Sequence, residues 1–173
     1  MMKMKVQKWL PALMILAVAL SAGSCRRAVE KAADKVRFLG VEKVERQGLT
    51  GAEVVVRIDN GSGYNLTLSS AEIGIYYGNS RVGTVVLRDP VTVPRRTLQS
   101  FATRWRLQIS DPLAIYLLAR KARAGEFGQV FVSCAVEGRG GPAPVKFSRE
   151  KMPLSDFLNT FGLSIQDVEN YLK

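Results

Sequence analysis

From Val36 to Ser148 the chain keeps returning to short, β-branched runs, each closed by glycine, asparagine or proline, and that rhythm leaves few folds open. Gly51–Asp59 reads GAEVVVRID and stops at Asn60-Gly61-Ser62-Gly63. Ala71–Tyr77 reads AEIGIYY and puts Ile73 and Ile75 on one face and Glu72 on the other, the two-residue period of a strand. Gly78-Asn79-Ser80 is a hairpin turn, and Arg81–Arg88 is the returning strand. Short strands with a turn signal about every ten residues predict a mainly β, antiparallel sandwich.

The remaining segments fit that scheme. Val36–Glu45 alternates imperfectly, and Leu66 and Leu68 alternate with Thr67 and Ser69. Val91 and Val93 precede Pro94, so that strand is short or lies at an edge. Thr97–Ile109 is long. Leu98, Phe101, Trp105, Leu107 and Ile109 are its inward candidates, and Arg104 and Arg106 its solvent face. The phase breaks between Phe101 and Leu107, which predicts a bulge. Gln129–Glu137 and Ala143–Ser148 complete the strands, with a loop at Gly138–Pro142 between them.

One helix interrupts the strands. Ser110-Asp111-Pro112 supplies a cap and a first-turn proline. Leu113, Tyr116 and Leu117 share a face, and Arg120, Lys121 and Arg123 suit the negative end of the helix dipole. Gly125 and Gly128 close it, and the expected role is a lid on the end of the sandwich. Pro153–Phe161 and Ser164–Leu172 read as two short helices split by Gly162, with Ser164 as cap and Asp167 as its acidic partner.

The front of the chain speaks to location. Lys3, Lys5 and Lys8 precede the uncharged run Trp9–Leu20, then Ser21-Ala22-Gly23-Ser24 and Cys25. Basic, apolar and small-residue regions in that order make a secretory signal. The apolar run is about a dozen residues, short of the roughly 20 that span a bilayer. Small residues ending at cysteine resemble a bacterial lipoprotein signal, in which fatty acyl chains such as palmitate are carried on Cys25. Ala22 stands where leucine is usual. An ordinary cleaved signal with a plain thiol and an uncleaved anchor remain the alternatives. The expected organisation is leader 1–24, tether 25–35, sandwich 36–148 and helical extension 149–173. Lipoproteins displayed outside a cell carry acidic residues after the cysteine. Here Arg26 and Arg27 follow, so the expected position is the outer membrane, facing the periplasm.

Charge and missing residue types narrow the chemistry. With 25 Lys and Arg against 15 Asp and Glu the net charge is +10; three lysines leave with the leader. Export makes nucleic acid an unsuitable partner for that charge, and an anionic bilayer surface a suitable one. The chain has no histidine, which excludes a Ser-His-Asp triad, a Cys-His dyad and His-ligated zinc. It has no dinucleotide fingerprint and no P-loop. The expectation is no enzyme, no metal, no cofactor and no catalytic residue. Cys134, within Val130–Val136, reads as a small buried hydrophobe rather than a reactive thiol.

Val54–Val85, VVVRIDNGSGYNLTLSSAEIGIYYGNSRVGTV, resembles the late embryogenesis abundant group 2 domain, also called the water-stress and hypersensitive-response domain. The shared features are a strand ending in Asn60, a loop with a second asparagine at Asn65, a strand ending in the Tyr76-Tyr77 pair, and a hairpin into a glycine-containing strand. Val91–Pro94 resembles the family's valine-proline edge. Gly61 and Gly63 replace its loop prolines. The resemblance implies a fibronectin type III-like sandwich, often with a helix between late strands, and a stress-protective or structural role in the cell envelope. Asn60 and Asn65 themselves read as turn residues.

Two other readings stand beside protection: a module for an envelope partner protein, through the basic helix or the C-terminal helices, and a glycan-binding module through Tyr64, Tyr76 and Tyr77. Tyrosines on one flat face would favour glycan, an exposed apolar patch at Leu113–Leu117 or Phe157–Phe161 a partner protein, and a sandwich polar all round the protective role.

Overall fold

The computed structural model describes residues 34–172. The leader, Cys25 and the tether up to residue 33 lie outside the described residues. Eight strands and three helices follow in order: β1 Val36–Gln47, β2 Gly51–Asn60, β3 Leu66–Tyr77, β4 Ser80–Leu87, β5 Val91–Val93, β6 Thr97–Ile109, α1 Pro112–Arg123, β7 Val130–Gly140, β8 Ala143–Pro153, α2 Leu154–Thr160 and α3 Ile165–Leu172. The fold is mainly β, as the strand rhythm predicts.

All pairings are antiparallel, in the order β1-β2-β6-β4-β3-β7-β8, with β5 added to β3. The ladder folds back on itself as a β-sandwich. Its layers are not separate sheets, because β6 belongs to both. Thr97–Arg106 pairs with β2, and Trp105–Ile109 pairs with β4. Two contacts tie the ends of the ladder together. The Phe161 ring meets Phe38 of β1 edge-on at 5.9 Å, while α2, just before Phe161, packs on β7 and β8. The Asn60 side chain, at the end of β2, bonds backbone at the end of β5. The centre is filled by small aliphatics, with Val82, Val93, Val130, Val132 and Val145 buried and Leu158 of α2 closing one side. Each such valine contributes roughly 1.5–2 kcal/mol by leaving water.

Several expectations change. β6 has no bulge: its register with β2 runs unbroken. Its inward residues keep one parity, Phe101, Thr103, Trp105 and Leu107, so Leu98 falls on the solvent side at 55 % exposure, and Ile109, paired with Gly83 at the end of the strand, is left exposed. Thr103 takes the most buried place because its hydroxyl is satisfied twice, donating to the Val54 carbonyl and accepting from the Trp105 indole N–H, both at 2.8 Å. Trp105 itself is half-buried. β3 is one strand rather than two, with an irregularity between Leu68 and Ser70 on its β7 side. The Gly138–Pro142 loop contracts to a tight turn, since β7 runs to Gly140 and β8 starts at Ala143. β8 also continues to Pro153, past the expected boundary at 148.

Three neighbouring strands fix which end is which. Val36, the first residue of β1, faces Asn60, and Asn60 faces Thr97. β6 then runs the length of the sandwich and delivers α1 at the far end, about ten residues away, or roughly 30 Å.

Candidate binding surfaces

At the far end, α1 starts as the sequence predicts. The Asp111 carboxylate accepts from the Leu113 and Ala114 N–H groups, both at 3.0 Å, and Pro112 fills the first turn. The Ser110 and Asp111 N–H groups both donate to the carbonyl of buried Val82, which fixes the helix start on β4. Gly125, at φ +74, provides the left-handed exit.

The orientation of α1 is the unexpected part. Ala114, Ile115, Leu118 and Ala122 are its partly covered side, where the helix meets β4. The Leu113, Tyr116 and Leu117 face points to solvent, with exposures of 69 %, 63 % and 43 %. No residue of α1 is buried. Exposed Ile109 stands just before the helix, and Leu49, 89 % exposed, sits at the tip of the adjacent β1–β2 turn. The last turn is basic; Lys121 pairs with Glu126 at 2.5 Å, which raises the lysine pKa.

The end where β1 begins is polar and built around Asn60. This side chain is fully buried, and its amide donates to the carbonyls of Tyr64 (2.9 Å), Pro94 (3.0 Å) and Val93 (3.2 Å). Its oxygen accepts from the Ser62 hydroxyl (2.6 Å) and the Ser62 N–H (3.1 Å), and Ser62 is itself fully buried. Asn60 thus pins the 60–65 loop to the 93–97 loop. Asn65 does less: exposed, it accepts one bond from the Arg95 N–H at 2.9 Å. Asn60 plays the expected turn role, through the Ser62 N–H and the Tyr64 carbonyl, and is a long-range strut as well; Asn65 bonds across to Arg95, thirty residues on, rather than within its own turn.

Beside that strut lies an open cavity of about 650 Å³, lined by Tyr64, Asn65, Arg95, Arg139 and Gly141 among others. Arg95 and Arg139 are far apart in sequence. They meet because Leu66 pairs with Val93 on one edge of β3 and with Gly140 on the other. Gly141, at φ +62, is needed twice over: a Cβ there would stand 2.5 Å from the Tyr64 ring. A second cavity, about 460 Å³, crosses β3, β7 and β8 and mixes Glu72 and Glu150 with Arg81, Arg149 and Lys151.

The three tyrosines are not brought together. Tyr64 lies at the tether end, and Tyr76 and Tyr77 lie at the other end of β3, roughly 35 Å away along the strand. Tyr76 lies under the Lys151 ammonium at 4.9 Å. A single flat tyrosine face, the condition set for glycan binding, is therefore absent among the described residues. Cys134 is half-buried rather than buried, and burial pushes its thiol pKa up, away from the reactive range. Among the described residues, no three His, Cys, Asp or Glu side chains are grouped to hold a metal, and no helix is long and apolar enough to cross a membrane.

The sequence missed two things: the solvent-facing direction of the α1 stripe, and the meeting of Arg95 with Arg139. The first was visible as a spacing of i, i+3 and i+4 without a direction. The second had no local signal.

No protein-family model and no curated protein matches the chain. Among solved structures it is similar to a crystal structure of a protein from Archaeoglobus fulgidus, at 17 % identity over 67 % of this chain and 96 % of that one, with a TM-score of 0.38.

Proposed function

We propose that this is a non-enzymatic module of the bacterial cell envelope, tethered by acyl chains on Cys25 to the periplasmic side of the outer membrane, and that its sandwich binds a partner protein through α1. The observation that supports this is the exposed Leu113-Tyr116-Leu117 stripe at the end of the sandwich farthest from the tether. Full burial of a leucine or aromatic side chain is worth about 1.5–3 kcal/mol, so three of them can anchor a small interface. The basic last turn, with Arg120 and Arg123, suits a partner with an apolar patch and an acidic rim. The protective role implied by the late embryogenesis abundant resemblance asks for a sandwich polar on all sides, and the stripe favours the partner reading over it.

The test uses the full chain expressed with its leader. Mass spectrometry of the processed N-terminus should find acylated Cys25; an unmodified thiol removes the tether. Native electrophoresis of mildly solubilised envelopes should show a complex with a second protein. Leu113→Glu/Leu117→Glu should weaken that complex at least about tenfold while leaving the melting temperature unchanged, since both side chains are exposed. A complex that survives the double substitution, or one built only of copies of this chain, refutes the partner reading.

A further inference from the structure

We propose that the cavity between the 60–65 loop, the 94–97 loop and the β7–β8 turn is a headgroup site, which takes the phosphodiester and polyol head of an anionic phospholipid from the bilayer to which the chain is tethered. This rests on the Cys25 reading for its location, and on the cavity's own chemistry for its ligand.

Charge comes first. The lining holds Arg95 and Arg139 and no Asp or Glu. Both arginines are exposed, and neither guanidinium is paired with a carboxylate among the described residues. Arg96 follows Arg95 directly, and the backbone of Lys35, bonded to the Gly61 N–H at 2.8 Å, brings a further cation to the same end. Two forked guanidiniums around one cavity suit a phosphate, which each can grip through two parallel N–H bonds.

Size and shape come next. At about 650 Å³ the cavity has the volume of a small-molecule site rather than of a bare ion. The Tyr64 ring forms one wall and is held over Gly141, where any Cβ would collide with it. An aromatic wall beside two phosphate-binding arginines fits a phosphate that carries a glycerol or sugar group.

The framework is rigid. The Asn60–Ser62 network fixes the loop bearing Tyr64 to the loop bearing Arg95. Arg96 holds a left-handed φ of +52, the only non-glycine positive φ among the described residues. That conformation costs an arginine about 1–2 kcal/mol and a glycine almost nothing.

Location completes the case. Cys25 precedes Asp34 by nine residues, which span at most about 30 Å. The cavity lies at the end where the chain enters the sandwich, so it is within reach of the bilayer surface.

The test uses the full chain carrying Cys25→Ser, purified in an uncharged detergent, so that binding is read without the anchor. Short-chain phosphatidylglycerol, short-chain phosphatidylcholine and inorganic phosphate are titrated separately against the backbone amide NMR spectrum. Phosphatidylglycerol should shift the amides of 63–65, 95–96 and 139–141, with a Kd at least about tenfold below that of inorganic phosphate. Arg95→Gln and Arg139→Gln should each weaken it about tenfold, and Arg139→Lys less, because charge is kept and the fork lost. Spectra of the variants away from the cavity should be unchanged. Equal binding of phosphatidylcholine, shifts centred elsewhere, or insensitivity to both arginine substitutions overturns the site. Inorganic phosphate binding as tightly as phosphatidylglycerol overturns the lipid assignment. A free thiol at Cys25 in the wild-type chain would remove the tether without touching any of these results, so the two failures are distinguishable.

Discussion

Asn60→Ala should be among the most damaging single substitutions in this sandwich, although the residue sits in what reads as a surface loop. Removing the side chain takes away an amide shared by three carbonyls and an oxygen that accepts from Ser62. Asn60 and Ser62 have no exposed surface, so water does not replace these bonds without opening the loop. The Val93 carbonyl and the Ser62 N–H are the most enclosed partners, and each buried group left unsatisfied costs about 1–3 kcal/mol. The sum is about 3–4 kcal/mol, a fall in melting temperature on the order of 10 °C for a domain of this size. Circular dichroism through a urea titration and a thermal scan measures it. Asn65→Ala is the control, because it removes one exposed bond and should cost about 0.5–1 kcal/mol. Asn60→Asp sharpens the test. It exchanges the donating nitrogen for an oxygen aimed at three carbonyls, so the introduced carboxyl is favoured in its protonated form, with a folded pKa above the unfolded value of about 3.9. Stability of that variant should therefore be greatest at acid pH and be lost as pH rises through the folded pKa. A loss below about 1 kcal/mol for Asn60→Ala, or equal losses at Asn60 and Asn65, would refute the reasoning.

Three other substitutions or conditions test separate parts of the fold. Trp105→Ala should cost about 2–3 kcal/mol by chemical denaturation, less than the 3–5 kcal/mol of a fully buried tryptophan, because the ring is half-buried; a loss under 1 kcal/mol would place it outside the packing. Asp111→Ala should cost about 1 kcal/mol and fray the first turn of α1, seen as faster amide exchange at Leu113 and Ala114. The Ser164 hydroxyl and N–H hold the Asp167 carboxyl below its usual range, so its support for the start of α3 is present at neutral pH and lost as pH falls through the folded pKa. NMR at progressively lower pH should show the first turn of α3 fraying as Asp167 takes up its proton, and Asp167→Asn should fray it already at neutral pH; an α3 start equally protected at every pH and in that variant would contradict the assignment.

What was legible in the sequence was mostly local. The Asp111 cap with Pro112 and the Ser164–Asp167 pair each complete within four residues, and both occur as read. The strand succession was legible because a two-residue period survives in short windows. Failures came where a residue's role depends on a distant partner. Leu98 was taken as inward for its hydropathy, but the parity of β6 is set by Phe101, Trp105 and Leu107, and the buried place goes to Thr103. A polar residue holds that place only because Val54 and Trp105 satisfy it, which hydropathy cannot show. Asn60 and Asn65 carry the same loop signature and both bond residues thirty or more positions on, and only burial and the number of bonds separate the enclosed strut from the exposed single contact. The tyrosines share a type but not a place, since the length of β3 separates Tyr64, in the loop before it, from Tyr76 near its end.

The two candidate surfaces follow from a parity in the topology. The chain enters the sandwich at Val36 and makes five alternating passes, β1, β2, β3, β4 continued by β5, and β6, so an odd number of passes puts α1 at the end opposite Val36. An even number of passes would have set the apolar stripe beside the bilayer, where lipid could cover it. As built, the end near the anchor is charged and hydrogen-bonded, and the end farthest from it is apolar. On the proposed anchoring through Cys25, a stripe roughly 30 Å from the start of β1 is poorly placed to be shielded by the membrane and well placed to meet a protein in the space beyond. The surfaces should then respond differently to a longer tether. Headgroup binding at the near end is helped by confinement close to the bilayer and should weaken as the effective lipid concentration falls, whereas partner affinity at α1 depends on side chains that the tether never reaches.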